Sequence, residues 1–214
     1  MHAREFRTCN MTGTGKARKR AALGVRAHSG WAAVILLCGS ANEPEIIHRG
    51  RIELCDGGID GSKQLFHAAE PMAFRRAEGF IKKCKSSTEK LADKAVSELM
   101  DVAKVRGLTL SACGVLTASG RALPALKDIL ASHALIHVAE GEFYRDVVAE
   151  ACARSGIRAN KIKEREIADL TASRLKLTEG KLKQKVDALG KPLGPPWTAD
   201  QKLSLMAAWL TLAS

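Results

Sequence analysis

Between Ala22 and Leu54 the chain reads Ala-Leu-Gly-Val-Arg-Ala-His-Ser-Gly-Trp-Ala-Ala-Val-Ile-Leu-Leu-Cys and, after a polar gap, Glu-Ile-Ile-His-Arg-Gly-Arg-Ile-Glu-Leu. Short aliphatic runs broken by a Gly-containing turn and a polar loop predict one strand, a tight turn, a second strand, a loop and a third strand. A chain that begins as such a meander is committed early to a sheet. The remaining elements must then cover that sheet.

Downstream, Asp56-Gly57-Gly58-Ile59-Asp60-Gly61-Ser62 reads as a plain turn-rich loop, without the terminal bidentate glutamate of a calcium loop. Pro71 fits the first turn of a helix, and apolar residues recur at helical spacing from Met72 to Val105, with a bend expected at Lys85-Ser86-Ser87 and Gly107 as the stop. Leu108 to Thr117 predicts a buried fourth strand, and Leu123 to Ala131 a short helix. Ser132 either caps a second helix or lies within a continuous one ending at Ser155-Gly156. Ile157 to Glu166 predicts a short or edge fifth strand. Ile167 to Leu189 is a basic amphipathic helical stretch interrupted at Thr178-Glu179-Gly180. After a linker, Lys191 to Pro196, a last apolar helix runs from Thr198, its N-cap, to Leu212.

The 214 residues suit one domain, 21–214, behind a disordered basic arm, 1–20. Hydrophobic residues make up 46% and aromatics only 4%, so the core is expected to be aliphatic. The longest apolar run, Trp31 to Cys38, is far short of a membrane span, which excludes a transmembrane helix. The six cysteines form no C-x-x-C pair and no secretory leader is evident, which predicts reduced thiols in a cytoplasmic protein. The net charge of +11 favours acidic partners, but the arm holds six basic residues against Glu5, so the folded part is only modestly basic. In the arm, Gly13-Thr14-Gly15-Lys16 is no phosphate loop, because Asn10 stands where the first glycine belongs and Ala17 where Ser or Thr is needed.

The pattern Leu-Gly-Val-x-x-x-Ser-Gly-Trp, followed by long helix, strand, helix, strand and final helix, resembles the ribonuclease H-like superfamily, in particular its Holliday-junction resolvase (RuvC) branch. The resemblance implies an α/β fold: a mixed five-stranded sheet, with strands 1–3 antiparallel and the later ones parallel, flanked by helices. It also implies a site where acids from the first strand, the fourth strand and the last helix converge on two magnesium ions. Carried onto this chain, the first acid falls on Arg26, the second on about Gly114 and the last on Asp200, with Ala199 or Lys202 nearby. Only Asp200 is acidic, and a guanidinium cannot ligate a cation. The actin-like ATPases share the opening, but their duplicated second half does not fit in this length.

A second constellation is Ser132 to Arg145. On a helix, His133, His137 and Glu140 fall at i, i+4 and i+7, with Glu142 and Arg145 following. Three readings are open: a buried hydrogen-bond network joining Glu140 or Glu142 to Arg145 and a histidine, a ligand pocket, or a metal site, although Ala134 replaces the zinc-protease glutamate. His28, His48 and His67 read as ordinary histidines, and Glu70 as electrostatic support for a helix start. Trp31, Trp197 and Trp209 form no platform interleaved with basic residues.

The leading expectation is a module of this fold, without cofactor or metal, that binds nucleic acid phosphates through Arg18, Lys19, Arg20, Arg26, Lys161, Lys163, Lys181 and Lys183. The alternative is a metal-dependent hydrolase or nuclease holding Mg or Zn and using His133, His137, Glu140, Glu142 and Arg145, with Asp200 approaching from the last helix. A third reading is a homodimer through Leu203, Leu205, Met206, Trp209 and Leu212. None involves a membrane.

Overall fold

Arg20 opens the first strand, β1 (Arg20–His28), and Gly30, at φ 84°, makes the tight turn into β2 (Trp31–Gly39), which returns beside it; β3 (Pro44–Glu53) completes the meander. The computed structural model describes residues 20–118 and 122–214. The predicted basic arm, with Arg18 and Lys19, lies outside the described residues. Arg20 does not belong to an arm but is the exposed first residue of β1.

After β3 come a short helix α1 (Leu65–Ala69), the long α2 (Phe74–Val105), β4 (Thr109–Thr117), α3 (Leu126–Leu130), α4 (His133–Arg154) and β5 (Arg158–Lys163). Then follow α5 (Ile167–Leu175), α6 (Glu179–Gly190) and α7 (Ala199–Leu212). The sheet order is β3-β2-β1-β4-β5, with the meander antiparallel and β1, β4 and β5 parallel. This is the expected mixed sheet.

Strand alternation sorts the side chains. Ala21, Leu23, Val25 and Ala27 of β1 join Val34 and Leu36 of β2 in the main core, under α1 to α4. Ile35 and Leu37 face the other way, onto Leu182 and Val186 of α6 and Leu205 and Trp209 of α7. Leu116 and Ile162 meet Ile167 and Ala207 on that second face. The apolar stripe of α7 is therefore spent inside the chain: Leu205 and Trp209 are buried against the sheet, and Leu203, Met206 and Leu212 pack around them. Leu205 and Trp209, expected at a dimer face, belong to the core.

Two glycines set how closely α7 approaches. A Cβ on Gly24 would lie 1.8 Å from the Ser204 carbonyl oxygen, and one on Gly114 2.7 Å from that of Ala207. Gly24 and Gly114 are register partners in β1 and β4, so the helix backbone rests directly on the sheet there. Gly114, to which the resemblance assigned an acid, is thus a packing position. Thr198 and Gln201 form a reciprocal capping box that starts α7, as the N-cap threonine predicted.

Two local expectations fail. The helix α2 runs 32 residues without a break at Lys85-Ser86-Ser87. Ser87 instead donates to Asp56 Oδ2 at 3.0 Å, a tertiary bond made from within the continuous helix, and Thr88 beside it is buried. Pro71 precedes α2 in a turn, and His67 lies within α1. Of the two alternatives at Ser132 the structure takes the second helix: α3 and α4 are separate and Ser132 occupies the N-cap position of α4, without a side-chain hydrogen bond among the described residues.

Candidate functional site

Side chains on the α7 face of the parallel strands converge at the strands' carboxyl end. In β1 this face carries Gly24, Arg26 and His28; in β5 it carries Asn160 and Ile162, and Glu164 follows in the 3-10 turn Glu164–Glu166. Asp200 comes down onto the same end from the first turn of α7. Its position is fixed by the capping box and by Arg49, which donates to the carbonyls of Gly194 and Pro196 at 2.8 Å each and of Leu193 at 3.2 Å in the preceding linker.

These residues form one ion-pair cluster. Arg26 donates through Nε to Glu164 Oε2 at 2.9 Å and through Nη2 to Oε1 at 2.8 Å, a two-pronged pair, while Nη1 donates to Asp200 Oδ1. His28 Nε2 lies 3.1 Å from the same Asp200 oxygen and 3.0 Å from Arg26 Nη1. The His28 ring stacks on Trp31 with centroids 4.4 Å apart, and the Arg51 guanidinium sits 4.2 Å over the Trp31 ring. The hydrogen bond to Glu164, with Asp200 adding to it, holds the Arg26 guanidinium above its ordinary value against the opposing effect of burial. Side-chain exposures of 23% for Arg26, 25% for Asp200 and 32% for Glu164 leave the cluster reachable from solvent.

The second constellation lies on the opposite face of the sheet, at the same end. His133 and His137, exposed in the first turns of α4, have their Nε2 atoms 3.1 Å apart. Glu140 is only 4% exposed and is turned inward: its Oε2 accepts from Phe66 N at 3.1 Å, from His67 N at 3.4 Å, and lies 3.1 Å from His67 Nδ1. Burial raises the Glu140 carboxyl, and its bonds to His67 and Phe66 oppose the rise. Glu142 pairs with Arg145 at 3.1 Å, apart from the histidines. Tyr144 donates to the Ser62 and Lys63 carbonyls at 2.8 and 3.1 Å, tying the loop before α1 to α4.

The sequence grouping is therefore redistributed. Asp200 belongs with Arg26 on the α7 face, not with His133, His137 and Glu140. Glu142 and Arg145 make a local pair instead of joining a histidine. Glu164 was not singled out from sequence, and His28 and His67, which read there as ordinary histidines, join the Arg26–Asp200 cluster and Glu140 respectively. Strand parity was the available signal for Glu164, four positions beyond Asn160, whereas nothing local marks His67.

The basic residues divide too. Lys161 pairs with Asp146, and Lys163 lies 3.4 Å from Glu166, so both are engaged on the surface of β5. Lys181 and Lys183 are exposed on α6. Among the described residues, no helix is long and apolar enough to cross a membrane.

No family model and no curated protein matches the chain. Solved structures do. Thermus thermophilus RuvC in complex with Holliday junction substrate aligns over 89% of this chain and 91% of that one, with a TM-score of 0.51 and 8% identity. The Thermus thermophilus RuvC structure aligns over 89% and 92%, with a TM-score of 0.50 and 9% identity. With the mixed sheet and its element order, these matches show that the chain has the ribonuclease H-like fold of RuvC.

Proposed function

We propose that this chain is a ribonuclease H-like module that binds nucleic acid through backbone phosphates and has lost two-metal cleavage. The observation that carries the reading is the Arg26 guanidinium bracketed by Glu164 and Asp200. Two-metal phosphoryl chemistry needs divalent ions about 3.5–4 Å apart, each held by oxygen ligands. Here the two acids already have a fixed cation between them, and that cation offers donors only. A metal entering would have to displace a two-pronged ion pair and sit beside a positive charge. The acids neutralise Arg26 structurally instead of gathering magnesium.

Binding is supported by fold and charge. The RuvC structure that this chain resembles holds a Holliday junction, and the net charge here is +11. Arg20, Lys181 and Lys183 are exposed, and Lys161 and Lys163 can exchange surface carboxylates for phosphates at little cost, since exposed pairs contribute only about 0–1 kcal/mol. A gel-shift titration of junction, duplex and single-stranded DNA at low and moderate salt tests the binding. Retarded complexes that weaken with salt are expected, and the absence of any shift at low salt removes the reading. The same mixtures with Mg²⁺ or Mn²⁺ should yield no cleavage. Product formation abolished by Asp200→Asn would show that the catalytic half of the proposal is wrong.

A further inference from the structure

We propose that His67, His133 and His137 form a three-histidine site for a zinc-class divalent cation, independent of the Arg26 cluster and on the other face of the sheet. Their ligand nitrogens all lie within 4.8 Å of one another. Two come from successive turns of α4 and the third from α1, so the site joins elements about 65 residues apart in sequence. The ring centroids are 4.6 Å apart for His133 and His137, 4.7 Å for His67 and His137, and 5.5 Å for His67 and His133.

The spacing has a chemical meaning. Zn–N bonds of about 2.0–2.1 Å at tetrahedral angles place neighbouring ligand nitrogens about 3.3 Å apart. The Nε2 atoms of His133 and His137 are 3.1 Å apart. His133 and His137 are exposed, so their rings have room to rotate until their nitrogens and that of His67 face a common centre.

The other ring nitrogens are arranged for the same task. Metal-binding histidines are oriented by a carboxylate on the nitrogen away from the metal, which fixes the tautomer and makes the imidazole a better ligand. His67 Nδ1 is 3.1 Å from Glu140 Oε2, which leaves Nε2 as the free lone pair. His133 Nδ1 faces Glu70 Oε1 at 3.7 Å. Glu140 is itself held by the Phe66 and His67 amides, and its second oxygen, Oε1, is buried without a hydrogen-bond partner among the described residues. A buried carboxylate is costly to leave half satisfied. A cation on His67 would polarise the ring and strengthen its bond to that carboxylate. Three nitrogens leave the fourth coordination position open to water. Borderline-soft Zn²⁺ suits imidazole better than Mg²⁺ does.

The test uses full-length protein without a polyhistidine tag, stripped with chelator and titrated with Zn²⁺ against a chromophoric competitor, with Co²⁺ spectra as a second readout. The expected result is one equivalent bound, ligand-field bands of a nitrogen-rich site, and at least tenfold weaker binding in His133→Ala and in His137→Ala. Both positions are exposed, so these variants should fold, and circular dichroism checks that they do. Glu140→Gln should weaken binding by about 10- to 100-fold. Failure of the wild-type protein to take one equivalent overturns the proposal. So does undiminished binding in the His133→Ala, His137→Ala double variant, which would move the metal to the cysteines or the N-terminal histidine.

Discussion

Arg26 and Glu164 stand 138 positions apart in sequence and meet through two parallel hydrogen bonds of 2.9 and 2.8 Å at the carboxyl end of the sheet. The pair joins β1 to the segment after β5, and Asp200 extends it to α7. Three elements made at different points of the chain thus meet on one guanidinium. Its removal leaves two carboxylates facing one another with no cation between them.

Arg26→Ala should therefore destabilise the fold by about 1–3 kcal/mol, since breaking one partner of a partly buried pair leaves unpaired charge. Urea denaturation should show the loss, smaller at high salt because the exposed edges of the cluster are screened. Glu164→Gln should cost less, because Asp200 still neutralises Arg26.

Arg26→Asp reverses the local charge and places a third carboxylate beside Glu164 and Asp200. The variant should be less stable than the wild type without metal but gain thermal stability with millimolar Mn²⁺, because ligand binding to the native state stabilises it. Thermal melts with and without the ion check this. A variant indifferent to Mn²⁺ would mean that these side chains do not converge as described.

Gly24→Ala should cost about 3 kcal/mol or more, because the added methyl meets the Ser204 carbonyl backbone and α7 must lift from the sheet. Gly57→Ala, where a methyl meets nothing within 4 Å among the described residues, should change stability by no more than about 0.5 kcal/mol. Denaturation midpoints of the two variants compare them directly.

Trp209→Phe keeps most of the apolar bulk but deletes the indole N–H that donates to the Ala41 carbonyl at 2.9 Å. The expected loss is about 1–2 kcal/mol, read from the urea midpoint. The Ala41 carbonyl lies in the turn between β2 and β3, so protease sensitivity should rise there.

His48 makes stability depend on pH. Burial, and then the nearby Arg106, lower its pKa from 6.5, so the folded state favours the neutral ring. The unfolded state takes up the proton first as pH falls. This group's contribution is full above about 6.5 and is lost as pH falls from there toward its lower folded-state value. His48→Gln should flatten that part of the stability curve, measured as the difference between wild-type and variant denaturation midpoints from pH 7 to 5.

Much of the architecture was legible in the order of apolar runs. The meander could be read because alternating and clustered aliphatic residues around Gly30 leave few other local structures. The start of α7 was legible because Thr198 is a good N-cap. The continuity of α2 was not, since Ser86 and Ser87 are poor helix residues and their compensation, the bond from Ser87 to Asp56, is made with a different segment. The candidate sites were only half legible. His133 and His137 were visible because helical spacing is local. His67 was not, because it meets them from α1, a separate helix whose docking against α4 no local pattern encodes.

The succession of strands and helices, the place of the tight turns and the arginine at position 26 can be read along the chain. Those are set by periodicity, capping and steric preference within a few residues. Tertiary structure alone decided that Glu164, and not a residue of β4, faces Arg26, that Gly114 packs a helix, and that Asp200 and His137 lie on opposite faces of the sheet. The physical reason is that sheet register and helix docking fix which distant side chains share a face, and no local preference encodes such a pairing.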